Sequence, residues 1–230
     1  MMNWRYGFLV LMLSLATCKV SAQDDVEYRM EIGAGAGLVG YHGDFNDALT
    51  SDLKPMGSVL LRYNLSPYMG FRANLMAGTL EGKYEKDDTY YPDYDGKNYE
   101  FSNSLVGLNI TYEYNFWPYG TGREYRGAKR LTPFVFGGIG GVFVKTSEKN
   151  VFTANVPLGL GVKYKVGARV NLGLEWSMNF TASDELDGVK DPYYIKSSGL
   201  FKNTECFSAL QLTLTYSFMA KCRTCHNENE

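Results

Sequence analysis

One motif near the C-terminus suggests cofactor chemistry. Cys222, Cys225 and His226 have the spacing of a c-type haem attachment site, in which two thiols bind the haem vinyl groups and the imidazole binds iron. Haem also needs an enclosing pocket and usually a second axial ligand, and this motif lies within the last nine residues. The only other histidine is His42. We therefore predict no cofactor and no metal, and expect a disulfide between Cys222 and Cys225 or a contact to another protein.

Catalysis would have to depend on His42, because a barrel hydrolase needs a nucleophile beside a histidine base. Asp44 and Ser51 lie near it in the sequence, so the three side chains could form a triad. The run 41–47 is rich in turn-forming residues, however, and is explained more simply as a loop. The sequence therefore predicts a protein that is not an enzyme, with a lipid-modifying barrel enzyme as one alternative.

Long runs in which apolar residues alternate with small or polar ones make up most of the remaining chain. Such alternation is typical of half-buried β-strands, and no stretch shows a sustained helical period. It predicts eight strands, at about 28–39, 56–65, 69–80, 103–116, 132–144, 156–166, 169–180 and 208–218. The facing of the glycine-rich strand at 132–144 stays open, because glycines occupy both of its faces.

The links between the predicted strands alternate in length, which is the layout of an outer-membrane barrel. Two-residue links at 66–67 and 167–168 mark one rim. The long polar links of the other rim lie at 41–54, 81–99 and 181–204. One link breaks this pattern, because 117–130 is long although it belongs to the short-turn rim.

The composition helps to decide between a membrane barrel and a soluble one. Glycine accounts for 25 of 230 residues, and the net charge of −2 offers no basic surface for nucleic acid. The apolar faces end in aromatic residues, whereas the polar faces carry Gly, Ser, Thr and Asn rather than the Lys and Glu of a water-facing surface. We therefore predict an eight-stranded antiparallel transmembrane β-barrel of OmpA or OmpX size, contacting outer-membrane lipid. A soluble lipocalin-like barrel or β-sandwich is the alternative.

Charged residues also occur on the faces predicted to line the barrel interior. They are Glu31, Arg62, Arg72, Glu113, Lys163 and Glu175, three of each sign. Eight strands leave room inside for side chains only, and buried charges have to be paired. The sequence therefore predicts a packed ion-pair network, with signs alternating around a ring, rather than a channel or a small-molecule site.

The N-terminal segment is organised like a cleaved secretory signal peptide over residues 1–22. Arg5 supplies the positive start, an apolar run follows, and 20–22 offers small residues for cleavage. Lipoprotein processing at Cys18 is the alternative. The expected domains are the signal peptide at 1–22, the barrel at 23–219 and a tail at 220–230, with both termini in the periplasm.

The exceptional link at 117–130 is a candidate docking surface, because a two-residue turn would close that hairpin. Its basic and aromatic side chains are of the types favoured at binding hot spots. These side chains are Trp117, Tyr119, Arg123, Tyr125, Arg126, Lys129 and Arg130. Together with the tail that carries Cys222 and Cys225, they predict one face for a periplasmic partner.

Several short motifs follow one another along the chain. They are YHGDF at 41–45, RYNL at 62–65, YNFWPYG at 114–120, LTPF at 131–134, PLGLGVKY at 157–164 and NLGLEW at 171–176, followed by the cysteine-bearing tail. The ordered set, over about 27–225, resembles the PorG-type outer-membrane barrels of the type IX secretion system. The resemblance implies a non-enzymatic component of that machine in gliding, peptidase-secreting Gram-negative bacteria, associated with the periplasmic PorK lipoprotein and PorN ring. The alternative is a stand-alone OmpA- or OmpX-like barrel that stabilises the envelope or serves in adhesion.

Overall fold

The computed structural model describes the strands of the chain and parts of the links between them. The described residues are 26–42, 53–84, 99–121, 127–146, 150–182 and 206–220. Predictions that fall outside these ranges concern the signal peptide at 1–22, Asp44, Ser51, Arg123, Tyr125, Arg126, Cys222 and Cys225.

Eight strands form one closed antiparallel barrel, in which each strand pairs with its sequence neighbours and the last pairs with the first. They are β1 (Tyr28–His42), β2 (Lys54–Ser66), β3 (Met69–Tyr84), β4 (Tyr99–Asn115), β5 (Leu131–Lys145), β6 (Asn150–Lys165), β7 (Val170–Thr181) and β8 (Cys206–Ala220). The predicted fold class and strand number are confirmed. The shortest strand has 12 residues, more than the roughly ten that a tilted strand needs to cross a bilayer. Among the described residues, no helix is long and apolar enough to span a membrane.

Several strands extend beyond their predicted ends, because backbone pairing continues where side-chain alternation is weak. The ladder between β5 and β6 runs on to the pair of Lys145 and Asn150, so β6 begins six residues before its predicted start. At the same rim, Tyr41 and His42 belong to β1 and pair with β8. The interpretation of 41–47 as a loop is therefore wrong for its first two residues.

The barrel turns its apolar face outward and its polar face towards the interior. Leu108, Ile110 and Leu212 are each more than half exposed. Asn109 and Thr111, which alternate with Leu108 and Ile110 along β4, are buried. Outward positions near the short-turn rim are aromatic, namely Tyr63, Phe71, Tyr112, Tyr114, Phe116, Tyr164 and Tyr216. A soluble barrel would bury the apolar set, so the lipocalin-like alternative is wrong. The exposed band and its aromatic girdle have the form of a lipid-facing surface.

The barrel interior has two layers, and the layer nearer the long links contains a cluster of apolar side chains. Its buried residues form one cluster of Val39, Tyr41, Met56, Met76, Leu80, Leu105, Val142, Val144, Phe207 and Ala209. Part of the cluster comes from β5, which turns Val142 and Val144 inward and so settles the facing that its glycines left open. Asn103, Thr153 and Ser208 are also buried in this half, so the interior near the long links is mixed rather than polar throughout. Side chains that meet each other here, away from water and lipid, gain more from close packing than from polarity.

Candidate functional site

The interior layer nearer the short turns contains the six charges named above, and their contacts converge on Glu113 of β4. Its Oε2 lies 2.8 Å from Nε of Arg62, and its Oε1 lies 3.2 Å from Nε of Arg72. Lys163 of β6 donates from Nζ to the same carboxylate at 2.5 Å. Glu113 is only 1% exposed, so three cations share one buried carboxylate.

The two other acids extend this network to opposite sides of the interior. Arg62 pairs with Glu31 of β1, and Arg72 pairs with Glu175 of β7. Neutral side chains also donate to these two carboxylates. These donors are Asn64 and Thr215 to Glu31, at 3.0 and 3.3 Å, and Gln211 to Glu175. The three carboxylates and three cations sum to zero charge, which is what burial of so many charges requires.

The network crosses the interior instead of following its wall. Arg62 and Arg72 face each other in the register of β2 and β3, so two like charges are direct neighbours. Lys163 reaches Glu113 from β6, past the whole of β5. The predicted alternation of signs around a ring is therefore wrong. In an interior as narrow as that of eight strands, long side chains meet near the axis, where one carboxylate can contact several cations.

Strand β5 adds no buried charge to this layer, but two of its aromatic rings pack against the cations. Phe136 has its ring centre 4.4 Å from Cζ of Arg72, and Phe134 has its ring centre 4.2 Å from Nζ of Lys163. Both distances are within the cation–π range. The ring of Phe136 lies over Gly159 of β6, where an added Cβ would come within 2.3 Å of it. The sequence pattern contained Gly159 but did not indicate which side chain covers it.

We expect Arg62 and Glu31 to behave as one energetic unit. Arg62→Met leaves Glu31 buried without its cation, which should cost about 3–5 kcal/mol of unfolding free energy. The double variant with Glu31→Gln no longer contains an unpaired acid at this position. Its loss of unfolding free energy should therefore be smaller than the sum of the two single losses by about 1–3 kcal/mol. Urea unfolding of barrels refolded in lipid vesicles measures all four free energies. Strictly additive losses would show that the two residues are not coupled.

The described parts of the long link lie across the barrel mouth. The amide of Tyr119 donates to the carbonyl of Pro67 at 3.1 Å, and its hydroxyl donates to Oδ1 of Asn171 on β7, also at 3.1 Å. Thr121 donates to Glu27, just before β1, at 2.9 Å. The fold therefore uses part of the link to close its own mouth, a role that the length of the link did not indicate.

The residues predicted to bind a partner are divided between this closure and the outer surface. Burial raises the pKa of the Tyr119 phenol above its usual range, so the hydroxyl stays protonated as a donor inside the mouth. Trp117, Lys129 and Arg130 are exposed, and Nζ of Lys129 lies 4.5 Å from the indole ring centre of Trp117. We call these three residues the link surface. Tyr119 closes the mouth and does not belong to it.

A seventh buried charge, Lys165 at the end of β6, was missed by the sequence reasoning. It follows Lys163 on the same face of the alternating run, so the period of two could have found it. Lys165 is 4% exposed and donates to the carbonyl of Ala168 at 3.1 Å. It forms no ion pair with a carboxylate of the described residues. The described buried charges are thus three acidic and four basic.

A family model described as Domain of unknown function (DUF6089) matches residues 6–227, almost the entire sequence. This chain belongs to the DUF6089 family. No curated protein matches it significantly.

Solved structures similar to this DUF6089 chain are outer-membrane barrels. Neisserial surface protein A (NspA) is similar with a TM-score of 0.53 and 12% identity, over 82% of this chain and 97% of that chain. OprG from Pseudomonas aeruginosa has a TM-score of 0.46 and 9% identity, over 87% of this chain and 100% of that chain. Ail, the attachment invasion locus protein of Yersinia pestis, has a TM-score of 0.42 and 10% identity, over 84% of this chain and 99% of that chain. At this identity, the similarity to NspA is one of fold.

The interior of the DUF6089 barrel is suited to burying charge. Within the described ranges, no group of three or more His, Cys, Asp or Glu side chains could hold a metal ion. A cavity between the two layers has room for about one water molecule. Asn74 and Thr111 line it, and each has a buried oxygen that such a water could satisfy. Charge pairing is the chemistry that the described residues of the ion network show.

Proposed function

We propose that this DUF6089 barrel is a non-enzymatic outer-membrane component of the type IX secretion system, which anchors or assembles a periplasmic complex. The observation that carries the proposal is the link between β4 and β5, which is folded against the mouth and exposes the link surface of Trp117, Lys129 and Arg130. Tryptophan and arginine are enriched at protein–protein hot spots. The partner is a ring or lipoprotein of the PorK and PorN type, as the motif resemblance implies.

In this proposal the strands lie in the outer membrane and both termini lie in the periplasm. The exposed apolar band and its aromatic girdle support a lipid environment. Tyr28 and Ala220 pair with each other at the short-turn rim, and outer-membrane barrels have their short turns on the periplasmic side. The link surface on the same rim would then face periplasmic proteins.

The packed interior favours anchoring over transport. The apolar layer and the ion network fill the barrel with buried side chains from all eight strands. An eight-stranded barrel packed in this way offers no aqueous path. Function in such a protein has to reside at the two rims, and the short-turn rim carries the link that exceeds the needs of a hairpin.

A gentle pull-down from detergent-solubilised outer membrane tests the proposal. The affinity tag belongs in the long link at 85–98, on the opposite rim from the link surface. We expect a periplasmic lipoprotein or ring subunit to co-purify, and secreted peptidases to accumulate in cells that lack the barrel. Recovery of the barrel alone, with normal secretion in its absence, would contradict the proposal.

A stand-alone barrel that stabilises the envelope or serves in adhesion is the second candidate. The ion network favours it, because its three carboxylates and three cations balance one another within the barrel and need no partner for that. Cells lacking such a barrel should become sensitive to detergent or lose attachment while secreting normally. The secretion proposal predicts the reverse, with a secretion defect in an otherwise intact envelope.

A further inference from the structure

Lys165 lines a pocket in the short-turn mouth, between the ion network and the link. Other residues that line the pocket are Glu27, Glu31, Asn64 and Gly120. It has room for little more than one water molecule. The link holds the end of β6 in place, because the amide of Lys165 donates to the carbonyl of Arg130 at 2.8 Å.

The ammonium group of Lys165 is under-satisfied by the described residues. It has three N–H donors and one described acceptor, the carbonyl of Ala168 at 3.1 Å. The rings of Tyr28 and Tyr119 flank it at 5.5 and 5.7 Å from their centres. Cation–π contacts at such distances offset only part of the loss of hydration of an ammonium group.

Neither of the nearby acids forms an ion pair with Lys165. Glu31 lines the same pocket but pairs with Arg62, and the half-buried Glu27, which also lines it, accepts a hydrogen bond from Thr121 of the link. Among the fully buried residues that the structure describes, four are basic and three acidic, which leaves one positive charge in excess among them. One carboxylate in contact with Lys165 would balance these buried charges.

We infer that this mouth pocket binds a carboxylate presented by an acidic segment of the periplasmic partner, an inference that rests on the proposed docking function. A carboxylate matches the single excess charge and the small volume of the pocket, whereas a phosphate is larger and carries more charge than one lysine balances. Lipid headgroups do not reach the site, because Lys165 occupies the inward face of β6. The partner is thereby held at the barrel mouth as well as at the link surface.

Titration of the purified, detergent-solubilised barrel with an end-blocked hexaglutamate peptide tests this site without requiring the partner. We expect saturable, salt-sensitive binding by calorimetry, and none for hexaglutamine. Lys165→Met should weaken the binding about tenfold or more, and Lys165→Arg should retain most of it. Lys145→Met, which removes an exposed cation at the opposite rim, should change it less than about threefold. Heat-modifiable migration on gels checks that each variant is folded.

The outcomes separate the site from its alternatives. Equal hexaglutamate binding by Lys165→Met and the unmodified barrel, or an equal loss of binding in Lys145→Met, overturns the pocket. Binding that appears only after Asp24→Asn and Asp25→Asn shows that the chain's own acidic segment fills the pocket, and overturns a partner as its source. If Lys165→Met captures the partner as well as the unmodified barrel does, the pocket assignment fails while the docking function stands. If the unmodified barrel captures no partner, the docking function fails, and the titration still decides whether the pocket binds a carboxylate.

Discussion

Replacing Glu113 with glutamine is expected to destabilise the barrel by about 3–5 kcal/mol. The substitution conserves size and shape but removes the one carboxylate that contacts Arg62, Arg72 and Lys163. Arg62 and Arg72, which face each other across β2 and β3, then lose the charge between them. Each retains one acid, Glu31 or Glu175, so the barrel should still assemble. Urea unfolding in lipid vesicles, with heat-modifiable migration on gels as the folding assay, measures the loss.

Glu81→Gln is the matched control for this experiment. Glu81 also pairs with a cation, Lys54, but the two side chains are 24% and 34% exposed. Partly exposed pairs of this kind contribute about 0–1 kcal/mol. The unfolding free energy of the control should therefore be close to that of the unmodified barrel. If Glu113→Gln costs no more than Glu81→Gln, the buried network does not stabilise the fold as its contacts indicate.

Replacing Arg123, Tyr125 and Arg126 together by serine is expected to weaken capture of the partner more than about tenfold and to impair secretion. Each is of a type whose truncation at a hot spot costs more than about 1 kcal/mol, and about 1.4 kcal/mol corresponds to a factor of ten. The barrel should fold normally, because Tyr119 and Thr121, whose described contacts close the mouth, are retained. Quantitative pull-down and the level of barrel in the outer membrane measure the two effects.

The triple serine variant keeps the link at its full length for a structural reason. Tyr119 and Lys129 form a parallel bridge, and a parallel pair cannot be joined by the tight turn that closes an antiparallel hairpin. The control replaces Lys86, Tyr90 and Lys97 of the long link at 85–98 with serine, which removes the same types of side chain from the other rim. Equal capture by the test and control variants would exclude Arg123, Tyr125 and Arg126 from the docking surface.

Local alternation in the sequence was enough to predict the barrel. In a strand, successive side chains point to opposite faces, so a run such as 106–114 assigns Leu108 and Ile110 to one face and Asn109 and Thr111 to the other without any knowledge of distant residues. The same period places Glu31, Arg62 and Glu113 on interior faces. The alternation of short and long links then determines which strand ends share a rim. These features depend on neighbours in the chain, and the structure agrees with them.

Which side chains contact each other in the interior was decided by closure of the barrel. Which side chains meet across a barrel depends on strand tilt and on the stagger between strands, and neither is encoded in the alternation of a single strand. Glu113 therefore became the centre of the network, reached by Lys163 over the intervening β5. By the same geometry Lys165, on the same face as Lys163, was left without an acid among the described residues.

The layers of the interior and the course of the long link were also decided by the tertiary structure. Glycines on both faces of β5 hide its facing in the sequence, and only packing against the opposite strands turns Val142 and Val144 into the apolar layer. The length of the link indicated a surface for a partner, yet Tyr119 fills the mouth because Asn171, 52 positions away along the chain, is within hydrogen-bonding distance. A periodic pattern determines the direction of each side chain, whereas the group that it meets is determined by the closed shape, which brings residues from distant parts of the chain into contact.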